Sequence, residues 1–367
     1  MLTRLYIDNF RCFVNFEFKP GPKQLILGAN GSGKSSFMDA LLFIHRIASI
    51  GDVLHDSAIL NQRTRWRDHP RQSWELEASL DGQTYTYSLM LDPWGNPPRP
   101  KVVSERVHLG GKPIFEFEGG DVHLFNDQFE HKVSYPFDHY RSALATIVER
   151  KDNQKLTAFQ RWLRSLTCFR INPFGMRSEA PGEDTDPQPD LSNLSSWYRH
   201  LSQEDQRHSD ALRASLREVI DGFGYLQLEQ AGRSRLLTAE FLDARGFIAK
   251  FSLDELSEGQ RCLIALYAIL HFLLVKGCTV VIDEPDNFIS LREIQPWLIS
   301  AMDAVDNGNA QLILISHHPE ILNQWAPEYG MRFIRDGLVG PVRVQEFHGD
   351  PDSTLTPAEI VARGWEE

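Results

Sequence analysis

The segment Gly28-Ala29-Asn30-Gly31-Ser32-Gly33-Lys34-Ser35 restricts this chain more than any other stretch of it. It matches the pattern G-x-x-x-x-G-K-[ST]. A short apolar run, residues 24–27, precedes it, and residues 34–49 follow it with Phe37, Leu41, Ile44 and Ala48 at helical spacing. A strand that passes through glycines into a helix turns its backbone N–H groups inward, and the helix N-terminus adds partial positive charge. Such a turn cradles phosphate. Its candidate binding residues are Asn30, Gly31, Ser32, Gly33, Lys34, Ser35 and Ser36. Lys34 is placed to reach β- and γ-phosphates, and the Ser35 hydroxyl to bind Mg²⁺. A chance glycine turn is the alternative, which the flanking strand and helix oppose.

Three further segments carry related chemistry. Thr279-Val280-Val281-Ile282-Asp283-Glu284-Pro285 is an apolar strand ending in two carboxylates, and catalytic groups gather at the C-terminal ends of strands in open α/β sheets. Asp283 suits a Mg²⁺ ligand, direct or through water, and Glu284 suits the group that polarises an attacking water. An acidic strand-to-turn junction is the plain alternative. Leu256-Ser257-Glu258-Gly259-Gln260 places an N-cap, Ser257, and an unobstructed glycine ahead of residues 262–274, a helix apolar on nearly every face. That segment is either a ligand-facing turn or a capped core helix. Leu312-Ile313-Leu314-Ile315-Ser316-His317-His318-Pro319 is a second buried strand with polar groups at its end, where a histidine either bonds a γ-phosphate or is satisfied by backbone.

Around these segments the pattern is strand-rich early and alternating later. Residues 5–18 and 61–138 read as strands, with a hairpin signal at Asp81-Gly82. Residues 140–166 and 192–220 read as helices, and residues 179–190 as an exposed, acidic, Pro- and Gly-rich loop open to disorder. The final third alternates helix (258–275), strand (279–282), helix (294–305) and strand (311–315), the mark of a mostly parallel sheet covered by helices. With 367 residues, 42% hydrophobic, the chain can bury a large core. The expectation is one domain over residues 1–367, with 1–60 and 250–350 as the nucleotide-binding core and 61–250 as inserted β and helical lobe segments.

A formal net charge of −12 excludes a chain coated in basic surface, while leaving room for a local basic patch. Cys12, Cys168, Cys262 and Cys278 lie at no metal-ligand spacing, and three of them have apolar neighbours. Free core thiols fit a reducing cytosol. The N-terminus lacks the apolar core of a signal peptide. The longest apolar run, residues 262–275, contains His271 and is too short to span a bilayer, so no membrane partner is expected.

In this order the four segments resemble the Walker A, LSEGQ signature, Walker B and switch-histidine motifs of ABC-type ATPases. The opening Leu5-Tyr6-Ile7-Asp8-Asn9-Phe10-Arg11-Cys12-Phe13 is similar to the start of the RecF, SMC and OLD branch. Phe169-Arg170-Ile171-Asn172-Pro173-Phe174 and Leu191-Ser192-Asn193-Leu194 also resemble segments of RecF-like and OLD-like ATPases. The resemblance implies an α/β P-loop NTPase of the ABC ATPase-head kind: a mixed sheet flanked by helices, an N-terminal antiparallel β subdomain and a helical lobe. It implies ATP and Mg²⁺ as cofactors and ATP hydrolysis as the activity. It also implies an ATP-dependent homodimer in which Ser257, Gly259 and Gln260 of one copy close over the γ-phosphate held by Lys34 and Ser35 of the other. Glu284 becomes the catalytic base, and His317 the switch histidine with His318 as competitor. The Q-loop glutamine has no clear place, Gln62 being the one candidate. Asp286-Asn287-Phe288-Ile289-Ser290-Leu291 departs from the family after Walker B.

OLD-type nucleases continue into a metal-dependent nuclease domain. Here the sequence ends at Glu367 with no acidic nuclease constellation in what remains, so the effector is expected in trans, in bacterial DNA repair or antiphage defence. Two other functions compete. In a transporter ATPase subunit, the signature would stand far closer to Walker A than the gap of about 220 residues seen here. A nucleotide-binding scaffold without turnover is opposed by the presence of Lys34, Asp283 and Glu284. DNA is a candidate partner through Arg63-Thr64-Arg65-Trp66-Arg67-Asp68-His69-Pro70-Arg71, which interleaves basic and aromatic groups; a solvated or partner-docking loop is the alternative.

Overall fold

The structure, a computed structural model, describes residues 1–54, 60–96, 98–243, 245–335, 337, 339–348 and 355–363. Strands β1 (Leu2–Asp8), β2 (Phe16–Phe18) and β3 (Lys23–Leu27) lead into α1 (Lys34–Ile44), which runs on as a π-helical segment, His45–Ile50. There follow β4 (Gln72–Leu80), β5 (Gln83–Trp94), β6 (Arg99–Leu109), β7 (Lys112–Glu118), β8 (Asp121–Phe125) and β9 (His131–Pro136). A 3-10 turn at Leu144–Thr146 precedes α2 (Gln154–Ser165). Next come β10 (Leu166–Phe169), β11 (Glu179–Ala180), α3 (Leu194–Glu204), α4 (Gln206–Val219), β12 (Phe223–Ala231), β13 (Ser234–Leu242) and β14 (Ile248–Ser252). The last third holds α5 (Glu258–Ile269) with a π-helical extension Leu270–Leu274, β15 (Thr279–Asp283), α6 (Leu291–Asp306), β16 (Gln311–Ile315), α7 (Pro319–Tyr329), β17 (Gly330–Arg335), β18 (Val342–Glu346) and α8 (Pro357–Arg363).

Packing divides the chain into two compact units: Met1–Thr167 with Tyr329–His348, and Cys168–Glu328 with Gly349–Glu367. Unit 1 holds an antiparallel sheet in the order β2-β1-β4-β5-β6-β7-β8-β9. In β4, Trp74, Leu76 and Ala78 point into the core while Ser73, Glu75 and Glu77 are half-exposed, the period of two that a one-sided sheet needs. Asp81 and Gly82 close the β4–β5 hairpin with φ of 49° and 74°, as an Asp-Gly turn requires. In the same unit β17 runs parallel to β3 and antiparallel to β18. The rings of Phe16, Phe18, Phe37 and Phe333 meet edge to face at 5.1 to 5.7 Å and pack α1 against these strands. Each such buried ring stabilises the fold by about 1.5–3 kcal/mol.

In unit 2 the strands β10, β15 and β16 lie side by side, with β15 and β16 parallel and in register from Thr279↔Gln311 to Asp283↔Ile315. Both are buried almost throughout, as parallel strands covered on two faces must be. A second sheet is antiparallel: β13 pairs with β11, β12 and β14. Helix α5 is buried continuously from Arg261 to Ile269, and Trp297 of α6 donates its indole N–H to the Leu266 carbonyl at 2.9 Å. The mixed α/β fold, the antiparallel β subdomain and the helical lobe expected from the sequence are all present. Cys12, Cys168 and Cys262 are core residues. Among the described residues no helix is long and apolar enough to cross a membrane.

Three local expectations need correction. The helix expected over 140–166 is confined to Gln154–Ser165 and the short turn at Leu144–Thr146. The buried carboxylate of Glu105 accepts the N–H groups of Ala143 and Leu144 at 3.0 and 3.3 Å, together with the hydroxyls of Ser142 and Tyr87, and so fixes the chain in a turn. The helix expected over 192–220 is two helices broken at Asp205, whose non-helical backbone lets its carboxylate cap the His208 N–H and pair with Lys276 at 2.6 Å. Residues 179–190 are tied down: Glu179 and Ala180 pair with β13, and Asn193 bonds Asp184, Asp186 and Gln188.

Candidate functional site

In unit 1 the glycine turn between β3 and α1 is built for close approach. Gly28, Gly31 and Gly33 have φ of 146°, 83° and 109°, which side-chain-bearing residues rarely adopt. A Cβ on Gly28 would lie 2.5 Å from the Phe333 carbonyl oxygen, whereas one on Gly31 would meet nothing within 4 Å, so the loop is packed at its base and open at its tip. Asn30, Gly31 and Ser35 are exposed, Lys34 and Ser36 half-buried, and Ser32 and Gly33 buried. The Lys34 ammonium donates to the Gly28 carbonyl at 2.5 Å and to that of Ala29 at 3.2 Å, which folds its stem back over the turn. Helix α1 starts at Lys34 after Gly33 with no side-chain cap, so its first-turn N–H groups face the loop without an internal acceptor. The Ser32 hydroxyl is buried without a hydrogen-bond partner. An open glycine cradle, an uncapped helix N-terminus and an orphaned buried donor fit a phosphate group.

In unit 2 the chemistry sits at the ends of β15 and β16. Asp283 is the last residue of β15, with a side chain 11% exposed. Glu284 leaves the strand in left-handed backbone (φ 50°), held there by its N–H bond to the Ile315 carbonyl at 2.7 Å. Strain of this kind at a charged residue persists only where its surroundings fix it. The turn aims the Glu284 carboxylate at His317, whose Nε2 is 4.0 Å away. His318 points elsewhere: its ring accepts the Glu320 N–H at 3.3 Å, and its own N–H goes to the Ser316 hydroxyl at 2.9 Å, so it caps α7. The Ser316 hydroxyl in turn donates to Asp286 at 2.6 Å.

The Ser257 segment is also in unit 2. Ser257 and Gln260 form a reciprocal capping box at the start of α5: the Gln260 N–H donates to the Ser257 hydroxyl at 3.3 Å, and the Ser257 N–H to the Gln260 side chain at 3.1 Å. Gly259 is needed by packing as well, because a Cβ there would lie 2.7 Å from the Phe288 carbonyl oxygen. Phe288 itself has φ of 70° and an exposed ring, edge-on to the exposed ring of Phe174 at 5.5 Å.

Two candidates find a different setting. Gln62 lies in unit 1, where its carbonyl accepts the Arg11 N–H. Three of the basic loop's four arginines bond within the fold, while Arg65 is exposed: Arg67 pairs with Asp8, Arg71 forks onto Asp92 at 2.8 and 3.0 Å, and Arg63 bonds the Leu60 carbonyl. The buried Asn9 fixes this loop through the carbonyls of His69 and Arg71 and the N–H of Thr64. One residue of the site had no role assigned from the sequence. Arg170, directly after β10, donates its Nε to Asp283 Oδ2 at 2.9 Å. Its signals are a basic residue at the end of a short apolar strand and its place in the segment Phe169–Phe174.

The oxygen donors Ser35 and Asp283 are of the hard type that suits Mg²⁺. A sequence profile described as "AAA domain, putative AbiEii toxin, Type IV TA system" matches residues 25–323, and one described as an AAA domain matches residues 4–45. No curated protein matches the chain. Solved structures are similar across nearly the whole length. The SMC head bound to the C-terminal winged-helix domain of ScpA has a TM-score of 0.57 at 12% identity, over 94% of this chain and 98% of that one. The Pyrococcus furiosus SMC head bound to the C-terminal domain of ScpA scores 0.54 at 12% identity, over 94% and 96%. The Thermotoga maritima SMC head scores 0.50 at 13% identity, over 95% and 99%. At such identities the likeness concerns the fold, while the profile spans most of the sequence. The chain belongs to the AAA-domain family of that first profile, and its fold is that of an SMC-type ATPase head.

Proposed function

We propose that this protein is an ATP-binding and ATP-hydrolysing switch that works in the cytosol as a head-to-head pair of copies and passes its nucleotide state to an effector protein in trans. DNA is a second candidate for that output. The family description, which includes a Type IV toxin–antitoxin system, supports antiphage defence, with DNA repair as the related setting. The observation that carries the catalytic part is the approach of Glu284 to His317 at the ends of adjacent parallel strands, with Glu284 held in a strained turn.

Each residue has a task in this scheme. The loop at Asn30–Ser36 wraps the triphosphate with backbone N–H groups, and Lys34 exchanges its carbonyl partners for phosphate oxygens. Ser35 and Asp283 would hold Mg²⁺, which when bound neutralises charge on the phosphate oxygens. Glu284 accepts the proton of the attacking water. His317 steadies the Glu284 carboxylate and bonds the γ-phosphate. Ser257, Gly259 and Gln260 of the second copy complete the enclosure.

The test is Glu284→Gln. Turnover is expected to fall by about a hundredfold or more. Light scattering should then show a dimer that forms with ATP and not with ADP. A variant that stays monomeric at saturating ATP overturns the paired arrangement. A wild-type protein that binds ATP without turnover, alone and with DNA, reduces the protein to a scaffold.

A further inference from the structure

We propose that Arg170 is a resident counter-ion for Asp283, one that competes with the metal for this carboxylate and so sets the Mg²⁺ level at which nucleotide is captured. This rests on the assignment of Asp283 as the metal-binding carboxylate.

Asp283 is largely buried at the end of β15, where an unpaired carboxylate is costly. Among the described residues its only ion pair is with Arg170, Nε to Oδ2 at 2.9 Å. The contact is delivered by an anchored strap rather than by a loose side chain. The Arg170 N–H bonds the Pro189 carbonyl at 2.8 Å, the Asn172 N–H bonds that of Asp190 at 3.1 Å, and the Pro173 carbonyl accepts from the buried Arg261 guanidinium at 2.7 Å. The backbone at Arg170 is therefore fixed, while its own side chain is 53% exposed. A half-exposed guanidinium can move into water at modest cost, whereas the carboxylate cannot.

The chemistry makes the two cations rivals. Mg²⁺ wants the same hard carboxylate oxygens and carries two positive charges, so a guanidinium held against Asp283 opposes its arrival by charge and by occupancy of Oδ2. In the absence of metal, Arg170 keeps Asp283 neutralised. When metal is taken up, Arg170 swings out.

The apparent affinity of a fluorescent, non-hydrolysable ATP analogue, measured across a Mg²⁺ series, tests this. Arg170→Gln should shift the half-maximal Mg²⁺ concentration down by about three- to tenfold, as expected for loss of one partly exposed pair. Arg170→Lys keeps the charge with poorer geometry and should shift the midpoint down by a smaller factor; it decides the matter if the Gln variant does not fold. An unchanged or raised midpoint overturns the proposal, because it would mean that Arg170 merely orients Asp283. If the wild-type protein fails to bind the analogue at any Mg²⁺ level, the proposed function fails instead.

Discussion

His317 Nε2 stands 4.0 Å from Glu284 Oε1, while the neighbouring His318 is turned back onto the first turn of α7. Two adjacent histidines thus have separate settings. His317→Ala is expected to lower ATP turnover by about a hundredfold with little change in melting temperature. His318→Ala should leave turnover near wild type and cost about 1 kcal/mol through the lost cap. Phosphate-release assays beside thermal melts separate the two; equal loss of turnover in both variants would remove the distinction.

Gly259→Ala forces a methyl group to within 2.7 Å of the Phe288 carbonyl oxygen. Backbone cannot yield as a flexible side chain would, so a loss of about 1–3 kcal/mol in stability is expected, seen as a lower melting temperature. A fully stable Gly259→Ala protein that no longer dimerises with ATP would show that the glycine serves ligand approach alone.

His271 follows α5 and is half-buried, with its ring 2.9 Å from the Ser215 hydroxyl. Burial, aided by the charge of His208, pushes its pKa down from 6.5 to about 4. The folded state therefore prefers the neutral ring, and the unfolded state binds the extra proton first. The stabilising difference is fully present above pH 6.5 and is lost as pH falls through about 4. On the order of 2–3 kcal/mol should disappear over that window. Urea melts between pH 7 and pH 4.5 check it: His271→Gln should be less stable at neutral pH and show a flatter profile.

Glu105 is completely buried, and burial pushes its carboxyl above the ordinary glutamate range against four donated hydrogen bonds. Glu105→Ala leaves those donors without an acceptor, and a loss of about 3–5 kcal/mol is expected. Hydrogen exchange should quicken at the Ala143 and Leu144 amides. Unchanged protection there would show that the turn at 144–146 does not depend on this carboxylate.

What was legible in the sequence was local. The loop at Gly28–Ser35, the apolar runs of β15 and β16 with their polar ends, the Ser257 cap and the Asp81-Gly82 hairpin are each complete within a few residues, so their physics is visible in one stretch. What was missed depends on partners far along the chain. The expected helix at 140–153 is pre-empted by a carboxylate 37 or more residues earlier. The break at Asp205 is fixed by Lys276. Arg170 gains its meaning from an aspartate 113 residues later. The separate settings of His317 and His318 likewise depend on the direction in which each ring points.

The mutual bonding of Ser257 and Gln260 bears on how tightly two copies of the proposed dimer can hold each other. A hydroxyl engaged at home can grip a neighbour's phosphate only by loosening its existing bond, so association gains little net free energy from that residue. Closure becomes an exchange of partners rather than an addition of them. Such an embrace lets go once the terminal phosphate is cut, which is what a device that must reset after every cycle requires.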